Sequence, residues 1–302
     1  MSLIVTGAVG IDRVETPAGQ AEDLLGGSGA YFPAAASFFT RARLLAAVGG
    51  DFPDGFVEVI DRFGIDRAGL ERRPDGKSFR WHGRYHTDMN KRDTVSVELG
   101  VLLEDPPPMP EAYKDSRFVF AAVDQPVNQL ALLDRLPGAA LTVMDTIDLY
   151  INTAKDELTE VMKRVGGIVI NDEEARAYTG ESNTVVAAEK LAELGPKFVV
   201  VKKGEHGVIV KHRDGWAALP AYPSTKVVDP TGAGDCFAGA MMGFLTEAGE
   251  ADPGLPALQR AVAYGTVVAS YSIEAFSLGR LESLDRAAID QRYASFRNIV
   301  SL

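Results

Sequence analysis

The stretch Asp229-Pro230-Thr231-Gly232-Ala233-Gly234-Asp235-Cys236-Phe237-Ala238-Gly239-Ala240 decides the reading of this 302-residue chain. From Phe237, apolar residues recur at Ala240, Met241, Phe244 and Leu245, the spacing of one helical face. Gly232, Ala233 and Gly234 therefore stand at or just before a helix N-terminus, where unpaired backbone N–H groups and the positive dipole end favour an anion. Small side chains let that anion approach the backbone closely. Asp235 follows at once, a carboxylate able to accept a proton beside the bound anion. An anion hole with an adjacent base is what phosphoryl transfer to a hydroxyl requires. A bare Gly-Ala-Gly would fit a capped loop before a core helix equally well; the full run is far more specific.

Composition narrows the classes. The chain is long enough for one large domain or a domain with a small appendage. Its 31 basic and 42 acidic residues give a net charge of −11, which argues against a nucleic-acid groove or an anionic membrane surface as the main partner. A single cysteine, Cys236, excludes an internal disulfide and fits a reducing compartment. No histidine lies near it in sequence, so it reads as a buried structural thiol rather than a nucleophile. The N-terminal residues begin a strand, with no basic n-region or long apolar run, and no uncharged apolar stretch reaches the ~20 residues of a membrane span. A cytoplasmic protein is expected.

Strand-like runs alternate with helix-like segments, the pattern of an α/β fold with a largely parallel sheet. Strands are expected at Leu3–Val9, Leu44–Val48, Phe118–Val123, Leu141–Asp145, Ile168–Asn171, Phe198–Lys202 and Val208–Lys211. Helices are expected at Ala30–Phe39, Asp54–Phe63, Val127–Leu136, Thr153–Val165, Val185–Leu194, Asp235–Thr246, Leu255–Tyr271 and Asp285–Arg297. One region breaks the alternation. Phe79, Trp81 and Tyr85 alternate with polar residues. After a polar turn, Val95, Val97, Leu99 and Val101 do the same, which predicts an antiparallel hairpin with two unlike faces. Residues 13–25, turning at Pro17-Ala18-Gly19, supply a second pair of strands. Together, residues 13–25 and 79–101 form a small β-lid on a single domain spanning 1–302. Asp105-Pro106-Pro107-Pro108-Met109-Pro110 reads as a stiff connector back to the main sheet.

Other motifs carry both a plain and a chemical reading. Gly26-Gly27 precedes the small-residue helix that begins near Tyr31; it is a loop-to-helix turn that also admits a ligand to the backbone. Asp12, on its own, is a turn cap. Asn171-Asp172-Glu173-Glu174 opens a helix, where Asn171 caps and the acids suit the dipole. Lys202-Lys203-Gly204-Glu205-His206-Gly207 joins two strands as a turn. The four histidines show no zinc-type cluster. Neither a dinucleotide fingerprint nor a Walker-type loop occurs, so phosphate must be held some other way, and the Gly232–Gly234 turn supplies it.

The 229–240 run resembles the second signature of the PfkB (ribokinase-like) family of sugar and nucleoside kinases, and the motifs above follow the family's order along almost the whole chain. The resemblance implies a three-layer α/β sandwich with a small β-sheet lid. It implies Asp235 as catalytic base, with Gly232, Ala233 and Gly234 as the anion hole. It places Asp12, Gly26, Gly27 and Tyr31 on the substrate; Tyr31 departs from the asparagine common in ribokinase-like members, which weakens the match to a ribose-type substrate. It places Asn171, Glu174, Lys203, Gly204, Gly207 and Thr231 on the nucleotide. Glu174 would reach magnesium through water, and Asp229 would border a monovalent cation such as K+. The implied activity is transfer of the γ-phosphate of ATP, with Mg2+, to a hydroxymethyl group of a small sugar. The alternatives are a nucleoside kinase of the adenosine type and a catalytically silent ligand-binding member, the latter opposed by the intact Asp235. A homodimer through the lid is also implied.

Overall fold

A computed structural model describes residues 2–301. In chain order the chain forms β1 (Leu3–Thr6), β2 (Gly10–Thr16), β3 (Gly19–Gly26), α1 (Ser28–Ala36), β4 (Ala42–Gly49), α2 (Asp54–Arg62), β5 (Asp66–Arg73), β6 (Phe79–Tyr85) and β7 (Arg92–Glu98). There follow β8 (Phe118–Ala121), α3 (Pro126–Arg135), β9 (Leu141–Met144), α4 (Asp148–Thr153), α5 (Lys155–Arg164), β10 (Gly167–Asn171), α6 (Asp172–Thr179) and α7 (Thr184–Ala192). The last elements are β11 (Phe198–Lys202), β12 (Val208–His212), β13 (Gly215–Leu219), α8 (Ala233–Ala248), α9 (Leu255–Ser272) and α10 (Arg286–Val300).

Nine strands make one sheet in the order β13-β12-β11-β10-β9-β8-β1-β4-β5. From β11 to β5 every neighbouring pair is parallel, and β12 and β13 extend the sheet antiparallel. The inner strands are apolar on both faces, as burial between two helical layers demands. Phe198 and Val200 pack with α1, α8 and α9 on one face, whereas Val199 and Val201 pack with α3 to α7 on the other. Helices α1 and α8 approach closely: a Cβ on Gly239 would lie 2.1 Å from the Phe32 carbonyl oxygen. That contact fixes α1 against the N-terminal end of α8, where the site lies.

A second, four-stranded sheet of order β3-β2-β6-β7 stands apart from the first. It is built from the two segments expected to form the lid. β1 stops at Thr6 instead of continuing to Val9, and β2 starts at Gly10, so Asp12 belongs to this smaller sheet. The hairpin β6–β7 is also out of the simple alternation. Trp81 pairs with Val97 and His82 with Ser96, but Gly83 pairs with Thr94. Val95 is the extra residue of a bulge, which moves Thr94 and Arg92 onto the face of Trp81 and Tyr85.

Two strands escaped the sequence reading. β5 carries a charged, half-exposed sequence because it is an edge, and β13 is the opposite edge. The helix expected over Thr153–Val165 is broken at Ala154, whose φ of −144° ends α4 and precedes α5.

Candidate active site

The site forms where the N-terminus of α8, the carboxyl ends of β9 to β11 and one face of the smaller sheet meet. Gly232 caps α8 in the left-handed region, at φ +73°. A Cβ there would also lie 2.3 Å from the Tyr31 ring, so the turn requires glycine for two reasons. The Ala233 amide donates to the Pro230 carbonyl at 3.2 Å. Among the described residues, the amides of Gly232 and Gly234 have no such backbone acceptor.

Asp235 lies in the first turn of α8 and keeps partial access to the cleft. Burial pushes its carboxyl above the usual range, while the charges of Lys202 and Arg92 pull it back. Lys202, the last residue of β11, extends its ammonium to within 2.8 Å of the place a Cβ on Gly234 would take. Of the adjacent lysines, Lys202 therefore faces the α8 turn. Lys203, named from the sequence, begins the following turn, its amide donating to the Gly207 carbonyl at 2.8 Å. Gly204 and Gly207 hold that turn at φ +54° and +83°.

On the opposite side, Asp12 is buried in β2 with Oδ1 unpartnered. Burial, followed by the charges of Asp229 and Asp235, pushes its carboxyl up to about 8. Gly26 on the paired strand β3 is what admits that carboxylate, since a Cβ would meet Asp12 Oδ2 at 1.9 Å. Gly27 caps α1 without a side-chain hydrogen bond. Tyr31, one turn on, is fully buried and its hydroxyl has no partner. The charges of Asp229 and Asp12 act on that phenol, and burial is the larger reason it holds its proton. Buried polar atoms without partners are uncommon, and two of them here mark a place suited to a polar ligand.

Thr231 donates from its amide to Asp229 Oδ1 at 2.9 Å and from Oγ1 to the Tyr85 hydroxyl at 3.2 Å. Asp229 Oδ2 accepts from the Ser277 amide at 3.4 Å, tying the loop before α8 to the loop after α9. Both Asp229 oxygens are thus engaged by backbone amides, and a monovalent cation there would have to share them. Asn171 and Glu174 form a reciprocal capping box on α6: Asn171 Oδ1 accepts from the Glu174 amide at 2.7 Å, and Glu174 Oε2 from the Asn171 amide at 3.0 Å. Burial raises the Glu174 carboxyl, opposed first by Lys202. Among the described residues, no group of three or more His, Cys, Asp or Glu side chains converges as a metal cage. A magnesium ion would therefore be held chiefly by nucleotide phosphates and waters, a setting it tolerates well.

Two side chains were not singled out from the sequence. Asp145 directly follows β9, buried with Oδ1 unpartnered, its carboxyl raised well above the usual range by burial and then by Asp235. Its position at a strand's carboxyl end was the available signal. Arg92 became visible only through the hairpin register, which sets it across from Tyr85, an aromatic already expected on the lid.

Comparison with known proteins gives a consistent picture. Residues 115–282 match the pfkB family carbohydrate kinase. The chain is 34% identical over 253 residues to the cytidine kinase of Thermococcus kodakarensis, covering 81% of this chain and 87% of that protein. Two solved structures share the fold. The Burkholderia thailandensis nucleoside kinase in complex with inosine has a TM-score of 0.78 at 19% identity, covering 99% of this chain and 98% of that one. The Cryptococcus neoformans ribokinase in complex with ADP has a TM-score of 0.79 at 20% identity, covering 96% and 99%.

Proposed function

This chain belongs to the pfkB carbohydrate kinase family and is a phosphotransferase with an alcohol group as acceptor, and from that premise we propose that it moves the γ-phosphate of ATP to a hydroxymethyl group of a small sugar. The observation that carries the reading is the juxtaposition of Asp235 with the Gly232–Gly234 turn at the start of α8, opposite Asp12 on the smaller sheet. Asp235 takes the proton as the acceptor oxygen attacks. The free amides of Gly232 and Gly234, with Lys202, offset charge on the transferring group. Asp12 and Tyr31 orient the acceptor through their unpartnered oxygens. Glu174 would hold a magnesium ion through water, and the ion would supply charge neutralisation at the phosphates. The smaller sheet covers the cleft and keeps water from competing with the acceptor.

A second reading, a nucleoside acceptor, is supported by the likeness to a cytidine kinase and by Trp81 and Tyr85 on one face of β6. An ADP-release assay across pentoses, hexoses, sugar phosphates and nucleosides tests both. Turnover with free sugars supports the first reading and turnover confined to nucleosides the second. No acceptor-dependent ADP release across the panel would overturn both.

A further inference from the structure

We infer that Arg92 is a catalytic residue: a lid-borne cation that closes on the transferring phosphoryl group opposite Lys202, held in place by two clasps between the smaller sheet and the main domain. The inference rests on the phosphoryl-transfer reading above and adds to it a role for the lid beyond covering the cleft.

The bulge after His82 puts Arg92 directly across from Tyr85, on the same face of the sheet. That face looks into the cleft, because Tyr85 is buried and its hydroxyl accepts from Thr231 Oγ1, the residue before Gly232. This is the first clasp. The second lies at the hairpin tip, where Asn90 Nδ2 donates to Glu205 Oε1 at 3.0 Å. Asn90 Oδ1 also lies 3.3 Å from where a Cβ on Gly204 would be, so its side chain sits against the turn that follows Lys202. The two clasps bracket Arg92 on either side of the phosphate turn, two residues from one and across a strand pair from the other.

The Arg92 guanidinium is steadied over the Trp81 ring, 5.7 Å from its centroid. Among the described residues it makes no ion pair or side-chain hydrogen bond, although its charge acts on both Asp235 and Glu174. Lys202 is likewise without an ion pair among the described residues. Lys202 stands against Gly234, and Arg92 stands across the strand pair from Tyr85, whose hydroxyl meets Thr231, so two uncommitted cations approach the Gly232–Gly234 turn from the main sheet and from the lid. A planar guanidinium suits the equatorial oxygens of a phosphoryl group in transfer, which it can bind in bidentate fashion. Because Arg92 is carried by the lid, phosphoryl transfer depends on the lid being clasped against the main domain.

The test compares binding of ADP with binding of ADP plus aluminium fluoride and Mg2+, a mimic of the phosphoryl group in transfer, by calorimetry on the full chain. Wild type should bind the mimic far more tightly than ADP. Arg92→Ala should lose on the order of 10²-fold for the mimic while ADP binding changes little, and Arg92→Lys should recover part of the loss. Asn90→Ala should weaken the mimic to a lesser degree, and the double variant should be no worse than Arg92→Ala alone. If Arg92→Ala binds the mimic as wild type does, or loses ADP and mimic equally, Arg92 has no such role. If wild type itself gains nothing from aluminium fluoride, the phosphoryl-transfer reading falls and takes this inference with it.

Discussion

Asp235 and Asp12 hold opposite duties with the same functional group, and their surroundings separate them. Asp235 is desolvated, which raises its carboxyl and makes it a stronger proton acceptor, while the charges of Lys202 and Arg92 oppose that rise. Asp235→Asn preserves shape and removes proton acceptance; turnover should fall ~10²–10⁴-fold with an unchanged circular dichroism spectrum. A folded variant that keeps most of its activity would remove Asp235 from that role. Asp12 has no cation beside it and its carboxyl is pushed up to about 8. Because the folded state holds this proton while the unfolded chain has released it, stability of the ligand-free protein should decline as pH rises from about 4 to about 8, then level off. Asp145 and Asp235, also raised, add to the same trend. Asp12→Asn should therefore gain in melting temperature relative to wild type as pH is raised through that window. A constant difference between the two across pH 5 to 8 would show that Asp12 does not titrate there.

At the level of the elements, the turn into α8 divides its glycines between conformation and chemistry. Gly232 is left-handed and lies against the Tyr31 ring; Gly232→Ala should lower the melting temperature, with backbone strain alone costing roughly 1–2 kcal/mol. Gly234 is not left-handed; the left-handed residue of this turn is Gly232. A side chain on Gly234 meets only the tip of Lys202, which can swing away. Gly234→Val should therefore keep most of its stability and acceptor affinity and lose turnover. Equal loss of acceptor binding and turnover, read by titration without nucleotide, would point to a collapsed pocket instead. The α8 turn was legible because helical periodicity, small residues and a carboxylate fall in one contiguous run. Likewise, the capping box on α6 could be read from Asn171 and Glu174 at their spacing. What stayed hidden depends on register between distant segments. Arg92 reaches the cleft face only because of a one-residue bulge at Val95. Lys202 rather than Lys203 faces Gly234 because strand alternation fixes its side. The charged edge strand β5 lacks the apolar pattern that betrays inner strands.

For the molecule as a whole, the smaller sheet poses a problem of cover. Its outer face is polar and paired, with Glu15 accepting from Arg84 at 2.7 Å and lying 2.9 Å from His82 Nε2, and Arg80 bound to Asp51 of the main domain at 3.1 Å. Its other face and its free edge are less settled. Every residue of β7 is exposed, including Val95 at 46% and Val97 at 50%, and the strand leaves one row of backbone groups unpaired. Val97 pairs with Trp81, so an apolar strip runs from the cleft to the open edge. Substrate can cover the inner end of this strip but not the edge. We propose that a second copy of the chain covers the edge, lid against lid, which would join two cleft-facing surfaces and stiffen both hairpins. The charges of Arg92, Asp93 and Glu98 on the same strand oppose indiscriminate edge pairing and favour one register. The apolar strip is short, well below the area of a standard stable interface, so the dimer should be a weak one that dissociates on dilution. Light scattering across a dilution series should show wild type moving from twice the chain mass toward the single-chain mass. Val97→Lys, placing a charge in the strip, should hold the single-chain mass throughout. A wild type that remains single at the highest concentration would eliminate the dimer and leave the strip to the substrate side of the cleft.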